Sequence, residues 1–309
     1  SLICFGGRTG KTVTFTDAGD VVNLTNNGLR AGSGVVFSTT GSLPTGLTAG
    51  TTYYAKQGAD VNKFLLYPTS ADAIAGTSQI TFSGTGSGTH TVKSQRMIEW
   101  LSAHPGRWGA SGSERCYDGI SSMLAVRNGA ASKTDPEIIE FGEAFTEYAT
   151  SAKTLRVGNC PYTRYTSSIN GVRTPAFHQG IIGQGYINLI TNYGHTSGRL
   201  TDIDGITFEH LSSSAFGTLL SAYESPKCSI LNCIFIGKST SSGSVGILVW
   251  GGLSNVQRNL IIGLTDGLVN YDAVGSGVIA FNTVSKCTNG IRSGSDSLSY
   301  RMSSWVNNI

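Results

Sequence analysis

The sequence predicts an all-β protein, a small β-sandwich followed by a right-handed parallel β-helix, on three observations. Gly is abundant (41 of 309 residues), Pro is scarce (7), and charged residues make up only 13%. That composition suits many strands joined by tight turns better than helices. The N-terminal third carries short runs of alternating polarity. The C-terminal part repeats two strand-like patterns at a period of about 25 residues.

Residues 1–93 form the first part. Val13-Thr14-Phe15-Thr16, Val35 to Thr39, Thr51 to Ala55 and Lys63 to Tyr67 alternate as strands do. Turn clusters separate them at Asn26-Asn27-Gly28, Leu43-Pro44-Thr45-Gly46 and Gly84 to Gly88. Strands at this spacing predict a small sandwich or barrel, and the sandwich is the form expected here. Residues 94–135 read as a connector with one short helix from Gln95 to His104, which places Met97, Ile98 and Leu101 on one face.

Residues 136–309 form the second part. Its opening, Pro136 to Tyr148, permits a helix capped by Asp135, but Gly142 and the alternating glutamates also suit strands, which are the expectation. Further on, Asn232-Cys233-Ile234, Asn259-Leu260-Ile261, Asn282-Thr283-Val284 and Asn308-Ile309 recur at spacings of 27, 23 and 26 residues. Out of phase with them run Gly246-Ile247-Leu248, Gly267-Leu268-Val269 and Gly290-Ile291-Arg292. Asp204-Gly205-Ile206-Thr207-Phe208 resembles an earlier member of the first series. Two alternating patterns mean at least two strands per coil, stacked ~4.8 Å apart. In this register Ile234, Ile261 and Val284 face inward, and Asn232, Asn259, Asn282 and Asn308 form a ladder of side-chain amides. The sequence stops in mid-coil, so further chain or a partner is expected over that end.

Charge and composition narrow the function. The net charge is +3 with no basic run, so nucleic acid is not an expected partner. The longest apolar runs, such as 246–250, fall far short of the ~20 residues that span a bilayer, so no membrane partner is expected. The six cysteines have no CxxC spacing and read as free thiols of a reducing compartment. The five histidines are scattered, so neither metal nor cofactor is expected. Phe5-Gly6-Gly7-Arg8-Thr9-Gly10-Lys11-Thr12 lacks one residue of phosphate-loop spacing and reads as a glycine-rich arm.

No catalytic residue is assigned. Glycoside cleavage needs two carboxylates across a groove, ~5–9.5 Å apart. Asp202, Asp204, Glu209, Glu224, Asp266 and Asp272 are the candidates, yet none recurs one coil from another so as to mark a groove. Asp266 reads as a turn cap, and His210 beside Glu209 as a strand-end residue. Trp250, Tyr271, Tyr300 and Trp305 are the candidate binding residues, for a protein interface first and for glycan second.

The N-terminal run also carries a resemblance. Gly34 to Gly41, Leu43-Pro44-Thr45-Gly46-Leu47, Gly50-Thr51-Thr52-Tyr53-Tyr54-Ala55, Lys63 to Leu66 and Gly84-Thr85-Gly86-Ser87-Gly88-Thr89-His90 resemble a module of tailed-bacteriophage structural proteins. The match covers about 70 residues and does not say which part of the virion is meant. A β-helix after such a module resembles a tailspike, tail fibre, head fibre or capsid-decoration protein. The resemblance implies a virion structural protein, often a homotrimer, assembled in the host bacterial cytoplasm and attached to other virion proteins, and the lack of a catalytic constellation favours structure over enzyme. The alternatives are a tailspike polysaccharide depolymerase and a non-catalytic receptor for bacterial surface polysaccharide.

Overall fold

The computed structural model describes residues 2–5, 10–108, 115–127, 137–143, 145–149, 153–154, 162–166, 179–183, 187–189, 200–210, 217–223, 227–237, 244–250, 253–271, 278–294 and 304–306. Strands dominate, and the fold is all-β with three short helices among the described residues. The chain divides into two compact units. One holds Ile3–Met123 and Phe141–Glu147, and the other Ser1–Leu2, Leu124–Glu140 and Tyr148–Ile309.

The first unit is built on a closed barrel. Its strands are Lys11–Thr16, Val21–Asn23, Ser33–Thr39, Thr52–Gln57, Lys63–Tyr67 and His90–Ser94, all paired antiparallel. Alternation drives it: in Lys11–Thr16, Val13 and Phe15 are buried while Thr12, Thr14 and Thr16 are exposed. Phe37 sits centrally, edge-on to Phe15 at 5.4 Å and stacked on Phe64 at 6.5 Å. The expected two-layered sandwich is corrected here. Ser33–Thr39 pairs with both Thr52–Gln57 and His90–Ser94, and His90–Ser94 returns to Lys11–Thr16. The sheet therefore has one continuous core and no free edge.

Two local features complete this unit. Ser70–Ala75 is a short helix, opened by the Thr69 hydroxyl and closed by Gly76 at φ 80°. Gln95–Ala103 is the helix expected of the connector, with Met97 buried. The Ser94 hydroxyl accepts from the Met97 N–H at 3.3 Å and donates to Glu143 at 2.8 Å. Of residues 94–135, those up to Met123 belong to the same compact unit as the barrel.

The second unit consists of three parallel sheets. The first contains Glu137–Phe141, Tyr162–Thr166, Leu200–Asp204, Lys227–Leu231, Leu253–Gln257, Val278–Ala280 and Ser304–Val306. The second contains Thr146–Ala149, Gln179–Gly183, Ile206–His210, Ile234–Ile236, Leu260–Ile262 and Thr283–Ser285, and the third Lys153–Thr154, Ile187–Leu189, Gly217–Tyr223, Ser244–Trp250, Asp266–Tyr271 and Asn289–Gly294. The chain visits the three sheets in fixed order, and each circuit lays its strands beside those of the circuit before. One column of buried side chains follows in each sheet: Ile203, Ile230, Val256 and Ile279 in the first; Phe208, Phe235 and Ile261 in the second; Leu220, Ile247 and Leu268 in the third. Each such side chain contributes about 1.5–3 kcal/mol by leaving water.

The register corrects two expectations by one residue. Phe235, not Ile234, pairs with Ile261 and then Val284, and the Phe208 and Phe235 rings stack at 5.0 Å and 9°. Ile234 pairs with Leu260 and is half-buried. Successive strand residues face opposite ways, so a slip of one residue moves a side chain to the other face. The slip originates at a turn. Gly205, Asn232, Arg258 and Phe281 hold one place in successive circuits with φ of 73°, 51°, 55° and 57°. The amides of the first three bond the next circuit in the same way, to Leu231, Gln257 and Ala280.

Candidate interaction surface

The residue after this turn position carries the amide ladder. Asn259 and Asn282 are 2% and 0% exposed. Asn282 Oδ1 accepts from Asn259 Nδ2 at 2.9 Å and from the Asn259 backbone N–H at 3.1 Å. Asn282 Nδ2 donates to the Val256 carbonyl at 2.8 Å, and Asn259 Nδ2 to the Ile230 carbonyl at 3.0 Å, one circuit further down. Asn259 Oδ1 in turn accepts from the Cys233 N–H at 2.9 Å. Cys233 therefore holds the place expected for Asn232, and its thiol lies 3.8 Å from the corresponding carbonyl, that of Ile203. Asn308 lies outside the described residues.

Asn232 belongs instead to a second polar row. Arg164 forms an ion pair with Asp204 at 3.1 Å, Asn232 Nδ2 donates to the other Asp204 oxygen at 2.8 Å, and Arg258 Nε donates to Asn232 Oδ1 at 2.9 Å. The carboxylate thus sits between a cation from one circuit and an amide from the next. Asp266 is held similarly, by Asn289 Nδ2 at 2.7 Å and Arg292 at 3.0 Å. Both carboxylates are buried, and both are committed to bonds between circuits. Asp266 starts the strand Asp266–Tyr271 and bonds the next circuit rather than capping its own turn.

The other candidate acids divide. Asp202 and Glu209 are half-buried, on the first and second sheets respectively, and Asp202 pairs in register with Arg164 and Ser229. Glu224 and Asp272 lie outside the described residues, as do His178 and His195. His90 is buried in the barrel, with Nδ1 at 2.9 Å from the Thr39 hydroxyl and Nε2 at 3.2 Å from the Thr85 carbonyl. His104 stacks on Trp100 at 4.3 Å. No group of three metal-binding side chains occurs among the described residues.

The candidate aromatic residues separate. Tyr223, Trp250 and Tyr271 take one register position in three successive circuits of the third sheet. Trp305 lies in the first sheet, paired with Ile279, and Tyr300 is outside the described residues. Tyr223 was missed in the sequence because neither repeat series extends back to it. Its 27-residue distance to Trp250 is the signal that would have found it. One more aromatic, Phe281, is 52% exposed at the positive-φ turn position that Arg258 takes in the circuit before.

Burial disfavours the reactive thiolate at two of the cysteines, Cys116 and Cys228. Burial pushes the Cys116 thiol up to about 12, and burial, with the Asp202 charge second, pushes Cys228 up to about 12. Cys4, Cys116, Cys228, Cys233 and Cys287 are free thiols, and Cys160 lies outside the described residues. Comparison with family models, with curated proteins and with solved structures returns no match for this chain.

Proposed function

We propose that the three parallel sheets are the faces of a right-handed parallel β-helix, and that the chain is a bacteriophage virion structural protein. The observation that carries this reading is the repetition of the same inter-circuit bonds at the same place. The turn amides, the asparagine amides and the apolar columns all recur circuit after circuit. Continuous bonding of this kind makes a rigid rod, which suits mechanical work. The right hand is the one that crossovers between parallel strands take almost without exception. The N-terminal resemblance adds to the reading. Its LPxGL turn, its two central strands and its glycine-rich run fall on the barrel strands Ser33–Thr39, Thr52–Gln57, Lys63–Tyr67 and His90–Ser94 and their connections.

On this reading the protein is a head-fibre, capsid-decoration, tail-fibre or tailspike component. It acts as a homotrimer that grips other virion proteins and adheres to surfaces. Two measurements test it. Sedimentation equilibrium should give three times the 32.4 kDa chain mass, and an antibody to the protein should label purified phage particles. A monomer that labels no particle contradicts the proposal.

A second reading, recognition of bacterial surface polysaccharide, is favoured by the shared register of Tyr223, Trp250 and Tyr271. Tyr and Trp combine an apolar ring with a polar handle, as sugar faces require. Incubation with capsular and O-antigen polysaccharides separates the possibilities. New reducing ends mean a depolymerase, hydrolase or lyase, retention without cleavage means a glycan receptor, and neither leaves attachment as the sole role.

A further inference from the structure

We propose that Asn289-Gly290 is a site of spontaneous deamidation that converts an inter-circuit amide into a carboxylate, with water as the co-reactant. The Asn-Gly pair occurs in two contrasting settings among the described residues. Asn27 is 4% exposed and tied at both ends of its side chain. Its Nδ2 donates to the Val61 and Lys63 carbonyls at 2.7 and 3.2 Å, and its Oδ1 accepts from the Leu29 N–H at 3.0 Å. Asn289 and Gly290 are both exposed, and Asn289 is held through Nδ2 alone, by Asp266 at 2.7 Å.

The attacking atom is also presented. Asn289–Gly294 is the last strand of its sheet among the described residues. The Asn289 N–H donates to Thr265 O at 2.7 Å, so the alternation of a parallel strand turns the Gly290 N–H towards the side on which no described strand pairs. A Cβ at Gly290 would meet nothing within 4 Å, so the space beside its Cα is open among the described residues.

The Gly290 backbone nitrogen attacks Asn289 Cγ and loses its proton, and the side-chain nitrogen leaves as ammonia. Water then opens the succinimide at either carbonyl, to aspartate or isoaspartate. The aspartate places a carboxylate where an amide donated to Asp266, and Arg292 must then serve two anions. The isoaspartate adds a carbon to the backbone and breaks the pairing of Asp266 with Asn289.

The test is peptide mapping by mass spectrometry of the full chain aged in mildly alkaline buffer. Aspartyl and isoaspartyl product should accumulate at Asn289 several-fold faster than at Asn27. Gly290→Ala, which the open space tolerates, should melt as wild type and suppress the reaction at Asn289 several-fold. Equal rates at the two asparagines, no conversion at Asn289, or an undiminished rate in Gly290→Ala would each overturn the proposal.

Discussion

The barrel and the three-sheet unit solve the same problem in different ways. Six antiparallel strands close on themselves, so every barrel strand has two neighbours and one core serves all of them. In the three-sheet unit a circuit of about 25 residues cannot bury its apolar face alone. Phe235 is covered because Phe208 and Ile261 lie in the circuits on either side. The barrel is stabilised all at once, whereas the stack is stabilised circuit by circuit. A substitution in the first should act on the whole unit, and one in the second should act most strongly near itself.

The largest expected effect sharpens that contrast. Ile261→Asp buries an unpaired charge in a fully buried column and should cost about 4–5 kcal/mol, read by denaturant unfolding. Ile234→Asp, on a half-buried position, should cost about 1 kcal/mol. Equal losses would break the observed register. Phe37→Ala in the barrel should cost about 3–5 kcal/mol. Hydrogen exchange should then rise together in all six barrel strands, while in Ile261→Asp the rise should fade with distance along the stack.

Smaller effects test the polar rows. Asn282→Ala leaves the Asn259 N–H and the Val256 carbonyl without this partner and should cost about 2–3 kcal/mol. Cys228 gives the stack an alkaline limit. Its folded value, about 12, lies above the ordinary 9.0, so the fold keeps a proton that the unfolded chain loses. This contribution is complete below about 9 and falls as pH rises from there, by up to about 1.4 kcal/mol per unit. Cys228→Ala should flatten that part of the stability curve. Asn289→Asp should cost about 0.5–1 kcal/mol by setting like charges opposite each other.

Much of this contrast was legible in the sequence. Alternation marked four barrel strands, and the glycine series marked the third sheet, where Ile247, Leu268 and Ile291 do align. Closure was not legible, because it rests on long-range pairing of Ser33–Thr39 with His90–Ser94 rather than on any local pattern. The one-residue slip at Asn232 has a different cause. Asparagine serves both at the positive-φ turn and in the ladder, and matching by residue type equated the two places. The apolar column was the better guide, since Phe208, Phe235, Ile261 and Val284 share one face whatever stands in the turn. The ion pairs of Asp204 and Asp266 join residues tens of positions apart and in other circuits, so spacing alone left these carboxylates as solvated or turn-capping groups.

The stacking register is tested most directly by a pair of engineered cysteines. Ser229 and Asn255 are register partners on the outward side of the first sheet. The double variant Ser229→Cys/Asn255→Cys should form a disulfide under mild oxidation, read by mass spectrometry, because adjacent strands bring the Cα atoms within disulfide reach. The offset variant Ser229→Cys/Gln257→Cys should stay reduced under the same conditions. Cross-linking of the offset pair in preference to the register pair would contradict the circuit-on-circuit stack.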